Sequence, residues 1–332
     1  MNYEFGFGKK TQKVIIPDDI KVRELTANKD IEFNPVDADV KNALENPIGS
    51  KRLKEIVNPG EKIAIITSDI TRPMPTYKVL PQLIEELEAG GVKASDITLV
   101  FALGSHREQT PEEQKRLAGE FAYNKINVVD SNVNDCVHMG TTKNGTPVDI
   151  TRVVAEADRR IALGNIEFHY FAGYSGGYKA IMPGVSTPAA IQSNHKLMIK
   201  PESCAGRLEG NPVREDIEEA GALCGLDFIL NVVLDEHKNI VKVVCGDPIK
   251  AHREGAKFLD KLYTKEIEDG ADIVIVSQGG APKDLNLYQT QKALDNSKHA
   301  VKDGGIIILI GSCAEGYGEE TFEDWMLNSQ SP

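Results

Sequence analysis

The sequence predicts an α/β protein of two domains, each built on a mainly parallel sheet flanked by helices. Three observations carry that prediction. At 332 residues the chain exceeds what one compact core usually holds. Short apolar, β-branched runs alternate with helical patterns along most of its length. Those runs are continuously apolar, as strands covered on both faces are, rather than alternating as half-exposed strands do.

The strands read first. "KIAIIT" (62–67), "DITLVFA" (96–102), "INVVD" (126–130), "RIALG" (160–164), "FILNVVLD" (228–235) and "IVKVVCG" (240–246) are each expected to add one strand to a parallel sheet. Helices are predicted over "YKVLPQLIEELEAGG" (77–91), "PEEQKRLAGEFA" (111–122), "TPAAIQSNHKLMIK" (187–200) and "PIKAHREGAKFLDKLYT" (248–264). Another opens at "NPVREDIEEAGALCG" (211–225), where Asn211 suits the N-cap, Pro212 the first helical position, and Gly221 or Gly225 the end. The charged "TKEIEDGAD" (264–272) has no apolar spacing, so the first domain is expected over 1–268 and the second over 269–332. The second holds one βαβ unit: "DIVIVS" (272–277), a helix over "YQTQKALDNSKHAVKDGG" (288–305), then "IIILIG" (306–311). One such unit has too little apolar area to cover both faces of a sheet, so this domain is expected to be incomplete.

Composition narrows the partners. Hydrophobic residues make up 41% of the chain and charged residues 27%, an ordinary globular balance. A net charge of -12 leaves no basic surplus to displace counterions, so nucleic acid is not an expected partner. "MNYEFGFGKKTQKVIIPDD" (1–19) lacks the apolar region of a secretory signal, and "GGIIILIG" (304–311) is too short to span a bilayer. The five cysteines (136, 204, 224, 245, 313) are scattered, odd in number and without a C-x-x-C pair. That argues for reduced thiols and a cytoplasmic location, with no membrane partner.

Ligands of open parallel sheets bind outside the carboxyl ends of the strands. Four predicted strands are followed by chemically loaded segments: "SDITRP" (68–73), "LGSHRE" (103–108), "NIEFHYFAGYSGGYKAIMPGVS" (165–186) and "QGGAPKDLNLYQTQK" (278–292). These exits are expected to bring Asp69, Arg72, His106, His169, Lys179 and Lys292 toward one rim. Each residue also has a plainer explanation. Asp69 can cap a turn closed by Pro73, and Arg72, whose fork suits a carboxylate or phosphate, could be a surface ion pair. His106 beside Gly104 has a pKa range suited to proton transfer, yet a loop histidine is usually just solvated. His169 lies among Phe168, Tyr170 and Phe171 and could simply be packed; His195 could sit on a helix surface. Lys179 follows "GYSGG", which could cradle an anion or form a flexible lid, and matches neither standard glycine-rich phosphate motif. His138, His237, His252 and His299 fall in loop or exposed-helix patterns with no partner motif.

Taken together, "DITRP", "GSHR", "FHYFAGYSGGYKAIMPG", "SNH", "GNPVRED" and "LYQTQK" run in that order from Asp69 to Lys292. With that set the chain resembles the nickel-pincer-nucleotide lactate racemase family. The resemblance implies a racemase or epimerase of a small 2-hydroxy acid, lactate or a relative, with the active site in the interdomain cleft. It implies nickel and a pyridinium-3,5-bisthiocarboxylic acid mononucleotide covalently linked to Lys179, with His195 as the protein ligand of the metal. His106 and His169 become the acid–base pair, and Asp69, Thr71 and Arg72 contact the cofactor. Arg72, Tyr288, Gln289 and Lys292 contact the substrate, and the proteins that make the cofactor are transient partners. Family members continue past "EDWMLNSQSP", which again implies a partial second domain.

The chemistry is consistent with those roles. Deprotonating C2 of a 2-hydroxy acid would build carbanion charge beside a carboxylate; removing hydride while a base takes the hydroxyl proton avoids it. The planar 2-oxo acid can take hydride back on either face, which calls for a base on each side. Arg72, Gln289 and Lys292 would hold the carboxylate while the ketone turns. Sulfur donors with one imidazole suit square-planar nickel. Two other readings compete. One is a cofactor- or acid-binding relative without turnover; the other is a zinc-dependent hydrolase with His106, His169 and His195 as ligands and Glu167 as base.

Overall fold

A computed structural model describes residues 1–28, 31 and 33–330. The chain divides into a larger unit, Ala27–Ile70 with Met74–Thr264, and a smaller one, Met1–Thr26, Thr71–Pro73 and Lys265–Pro332. The split after Thr264 falls within the charged segment that suggested a boundary near 268. The assignment of the N-terminal residues differs: 1–26 pack with the C-terminal segment, whereas the sequence reading ran the first domain from residue 1.

The larger unit is built on a six-stranded sheet. Its spatial order is Ile240–Gly246, Phe228–Leu234, Arg159–Asn165, Ile63–Ser68, Ile97–Ala102, Asn127–Asp130. Pleating sends successive side chains to opposite faces. Ile63, Ile65, Ile161, Leu163 and Leu230 therefore enter one core, while Ala64, Ile66, Ala162, Ile229 and Val233 enter the other. All six strands lie where the apolar runs predict them. The sheet is mainly parallel, as expected, with one antiparallel edge strand: Ile240–Gly246 runs antiparallel to Phe228–Leu234. Residues 235–239 are all that connect these two strands, and a parallel crossover needs about a dozen residues or more.

Helices cover both faces. Thr76–Ala89 buries Val79, Leu80, Leu83, Ile84 and Leu87, the three-and-four spacing of one helical stripe. Pro111–Ala118 opens with a capping box between Thr110 and Glu113, then breaks at Gly119 before Glu120–Lys125, where one helix is predicted. Pro212–Cys224 starts as read, with the Asn211 side chain accepting from the Val213 and Arg214 N–H groups. It ends on Gly225 in the left-handed conformation (φ 77°), the freedom a glycine C-cap supplies. Gly221 stays inside the helix, beneath the Tyr178 ring. The helix expected over 187–200 stops at His195 and passes into a 3-10 turn, Lys196–Ile199. A hairpin of Cys136–Thr141 and Pro147–Thr151 has no counterpart in the sequence reading.

In the smaller unit Ala271–Ser277 pairs in parallel with Val301–Ile310. The helix predicted over 288–305 is two short ones, Leu287–Thr290 and Lys292–Ser297, because the strand already begins at Val301. An N-terminal hairpin, Asn2–Phe7 with Lys10–Ile15, packs here. Buried Asp284 fastens it, its carboxylate accepting from Gly8 N–H at 2.7 Å and from Ser312 N–H at 3.0 Å. Ile273, Ile306 and Ile308 are exposed, since a single crossover covers only one face of a parallel pair. No helix among the described residues is long and apolar enough to cross a membrane.

Candidate active site

Three neighbouring strand exits of the six-stranded sheet carry the first group of residues. Ile63–Ser68 leads directly to Asp69, which is 3% exposed and whose Oδ2 lies 2.7 Å from His106 Nδ1. An ionised Asp69 favours hydrogen on Nδ1 and therefore a lone pair on Nε2, the nitrogen that can take a proton. Backbone ties hold both loops. Ile70 N–H donates to Gln109 Oε1 (2.9 Å), and Gln109 N–H and Nε2 donate to Asp130 (2.7 and 3.1 Å). Gly104, at φ 58°, turns the second exit so that its N–H meets the Gly184 carbonyl at 2.9 Å.

The third exit, after Arg159–Asn165, is the long "FHYFAGYSGGYKAIMPG" segment. Phe171 is buried and is its hub. The rings of His169 and Tyr170 lie edge-on to it at 4.5 Å, His195 at 4.9 Å, and Lys179 Nζ stands 5.8 Å from its centroid. Lys179 Nζ is also 3.5 Å from His169 Nε2, while Ala172 N–H is directed at His169 Nδ1 (3.3 Å). Lys179 is thus half-buried between an imidazole and an aromatic face rather than on an exposed lid. His195 is the last residue of Pro188–His195, a helix capped by Thr187, and is half-buried too.

The irregular backbone of this segment is held from behind. Asn211 Nδ2 donates to the Phe171 carbonyl (2.9 Å), and Arg214 Nε to that of Ala172 (3.1 Å). Arg214 Nη2 donates to the Tyr174 carbonyl, and His252 Nε2 meets that of Ser175 at 2.8 Å. Gly177 N–H donates to Asn231 Oδ1 (2.8 Å). Gly176 and Gly177 have positive φ, and a Cβ there would meet Asn231 Oδ1 at 2.8 Å and His252 Cδ2 at 3.0 Å. These glycines let the loop lie against its own scaffold. Burial lowers the Arg214 pKa to about 10, still above neutrality, so the guanidinium is charged.

His252 needs the largest correction. Read as exposed, it is 1% exposed, and burial, with the Arg214 charge next, holds its pKa well below 6.5. It shares the buried face of Lys250–Tyr263 with Gly255, Ala256, Leu259 and Leu262, a spacing visible in the sequence. Asn211, Arg214 and Asn231 were not singled out as holding this loop, and polar residues within apolar helices and strands are the signal that could have found them.

The second group lies in the smaller unit. Arg72 Nη1 donates to Gln289 Oε1 at 3.2 Å and to Thr71 Oγ1 at 3.1 Å, and Lys292 Nζ donates to the same Gln289 oxygen at 2.5 Å. Two cations on one buried amide oxygen make a site that attracts an anion. Gln289 is 4% exposed and begins beside its N-cap, Asn286, whose side chain accepts from the Gln289 N–H at 3.0 Å. Tyr288 adjoins it, its phenol pushed up by burial, with Glu319 adding to the rise. Asp69 and His106 belong to the larger unit and Arg72 to the smaller, so the four exits expected on one rim belong to two separate sheets. Among the described residues no three His, Cys, Asp or Glu side chains are grouped to hold a metal ion.

Known proteins repeat this order of parts. The profile of the lactate racemase N-terminal domain matches residues 7–206, and that of the lactate racemase C-terminal domain matches 267–332. The chain belongs to the lactate racemase family. It is 38% identical to the lactate racemase of Thermoanaerobacterium thermosaccharolyticum, over all of this chain and 79% of that protein. It is 36% identical to the lactate racemase of Lactiplantibacillus plantarum, over 85% of this chain and 68% of that protein. The apoprotein structure of the Thermoanaerobacterium lactate racemase superposes with a TM-score of 0.86, at 36% identity, covering all of this chain and 79% of that one. A Thermotoga maritima protein shares the fold, with a TM-score of 0.66 at 21% identity over 81% of this chain and 69% of that one.

Proposed function

We propose that this chain is an isomerase that racemises a small 2-hydroxy acid, lactate being the substrate for which its relatives are named. The observation that carries the reading is the Lys179–His169 contact at 3.5 Å on the Phe171 ring that also packs His195. An amine, a nearby imidazole and an aromatic face fit a flat nucleotide head group that is tethered through the amine and carries a soft metal. The sparse ligand set fits as well: sulfur donors arrive with the pincer nucleotide, so the protein needs to add one imidazole rather than a cluster. Lys179 would hold the tether, His195 would ligate nickel, and Asp69, Thr71 and Arg72 would contact the nucleotide. When bound, that group would supply the hydride acceptor that C2 of the substrate needs.

The chain's own side chains would do the rest. Nε2 of His106, its partner nitrogen facing Asp69, would take the hydroxyl proton of one enantiomer, and His169 that of the other. Arg72, Gln289 and Lys292 would hold the carboxylate while the 2-oxo acid presents its second face, with Tyr288 beside them. As the alcohol re-forms on the second face, the other histidine, protonated beforehand, would supply the proton. One turnover thus leaves one imidazole a proton richer and the other a proton poorer, and exchange with water or a turnover in the opposite direction resets the pair.

The test is co-expression with cofactor-making proteins, followed by intact mass, nickel analysis and a chiral assay on a hydroxy-acid panel. Active protein should carry nickel and a mass adduct on Lys179. Lys179→Ala should lose the adduct and racemisation together, whereas His169→Ala should keep the adduct and lose turnover by about 10²-fold or more. Active protein with neither nickel nor adduct would sink the reading.

A further inference from the structure

The "GNPVRED" turn contains none of the residues proposed to hold substrate or cofactor, yet its polar side chains are deeply buried. Asn211 and Asp216 are 0% exposed and Arg214 is 1% exposed. Two sets of bonds leave it in two directions. Asn211 and Arg214 hold the carbonyls of Phe171, Ala172 and Tyr174, in the loop that carries His169 and Lys179. Asp216 accepts from Asn194 Nδ2 at 2.8 Å, and Asn194 immediately precedes His195. The same amide donates to the Val213 carbonyl at 3.3 Å.

Asp216 itself is expensive to bury. Its donors are Thr142 Oγ1 (2.5 Å), Thr146 Oγ1 (2.8 Å), Asn144 Nδ2 (3.3 Å) and Asn194 Nδ2. Two hydroxyls and two amides are neutral, so the charge is met by hydrogen bonds alone. A buried carboxylate is tolerated only when its lone pairs are filled in this way, which makes the geometry around it strict. An apolar side chain would pack this helix start more simply, but it could not grip the residue next to His195.

We infer that Asn211, Arg214 and Asp216 are positioning residues that form one bracket, fixing His195 and Lys179 at a set separation on the Phe171 ring. The two arms act separately. Arg214, with Asn211, sets the lysine-bearing loop; Asp216, through Asn194, sets the imidazole. The functional weight of the bracket rests on the proposed roles of Lys179 and His195.

The test compares Asp216→Asn with Arg214→Lys in the full chain, with Asn194→Ala as a second route to the imidazole arm should either buried variant misfold. Imidazole ¹³Cε1–¹H spectra of the cofactor-free protein resolve its seven histidines, and His195 is assigned by its loss in His195→Asn. Asp216→Asn and Asn194→Ala should each shift or broaden the His195 signal and leave that of His106 in place. Arg214→Lys should instead move His169. In co-expressed protein, Asp216→Asn should keep the Lys179 adduct and lose nickel per adduct relative to wild type. An unmoved His195 signal in both imidazole-arm variants, or equal movement of His106 and His195, would overturn the bracket. Wild-type protein lacking adduct and nickel would instead overturn the proposed function and leave the spectra to judge the bracket alone.

Discussion

Asp69 and His106 meet at 2.7 Å in a nearly buried pair, and that contact selects the imidazole nitrogen able to take a proton. Asp69→Asn keeps the shape but can present an N–H to Nδ1, favouring the wrong tautomer. Turnover in the chiral assay should fall by about 10²-fold or more with little change in KM, the pattern of a lost acid–base function rather than lost binding. His252 makes a second residue-level prediction. It stays neutral when folded, because burial and then the Arg214 charge disfavour its protonated form, while the unfolded chain takes up a proton below about pH 6.5. The unfolded state therefore binds more protons below that pH, so stability should fall as the pH drops from 6.5. Urea midpoints at pH 7 and 5.5 measure the slope. His252→Gln, which can keep a donor at the Ser175 carbonyl, should flatten it; an unchanged slope would refute the assignment.

Among the elements, the strands of the larger unit and the starts of its helices follow local rules. Gly225 closes Pro212–Cys224 at φ 77°, so Gly225→Ala should cost about 1 kcal/mol, read as a lower urea midpoint with unchanged m-value. Leu83, fully buried in Thr76–Ala89, should cost about 2–5 kcal/mol as Leu83→Ala, because the cavity relaxes only in part. The antiparallel edge strand follows from the short connection of 235–239, a length readable from the sequence. The hairpin of Asn2–Phe7 and Lys10–Ile15 was harder to read. Its strands are mostly polar and exposed, so hydrophobic periodicity carries no signal there.

Across the whole molecule, charge and thiol reactivity report the fold. Glu61 is lowered to about 2 chiefly by its hydrogen bond to Arg159, and Glu113 to about 2 chiefly by Arg107. Carboxylates depressed in the folded state add stability that is present above about pH 4.5 and lost as pH falls toward 2. The acid-unfolding limb should therefore extend below pH 4.5, and Arg159→Gln should move it upward. Burial raises the Cys224 thiol to about 11 and pushes Cys245 higher still, whereas Cys204 is exposed. A thiol reagent on native protein should label Cys204 and spare Cys224 and Cys245 until denaturant is added. Early labelling of either would place it outside the core.

The sequence by itself determined the strands of the six-stranded sheet, the cap at Asn211 and the candidate chemistry-bearing side chains, because periodicity and capping are local and motifs are linear. Tertiary structure decided the pairings: Asp69 with His106, Lys179 with His169 over Phe171, Arg72 and Lys292 on Gln289. It also decided what holds the long loop. "HYFAGYSGGYKAIMPG" has no long period because short local turns alternate with carbonyls and N–H groups held by Asn211, Arg214, Asn231 and His252 from far along the chain. Hydrogen bonds between residues 40 to 77 positions apart leave no pattern in a local window, so only the folded chain brings them onto the page.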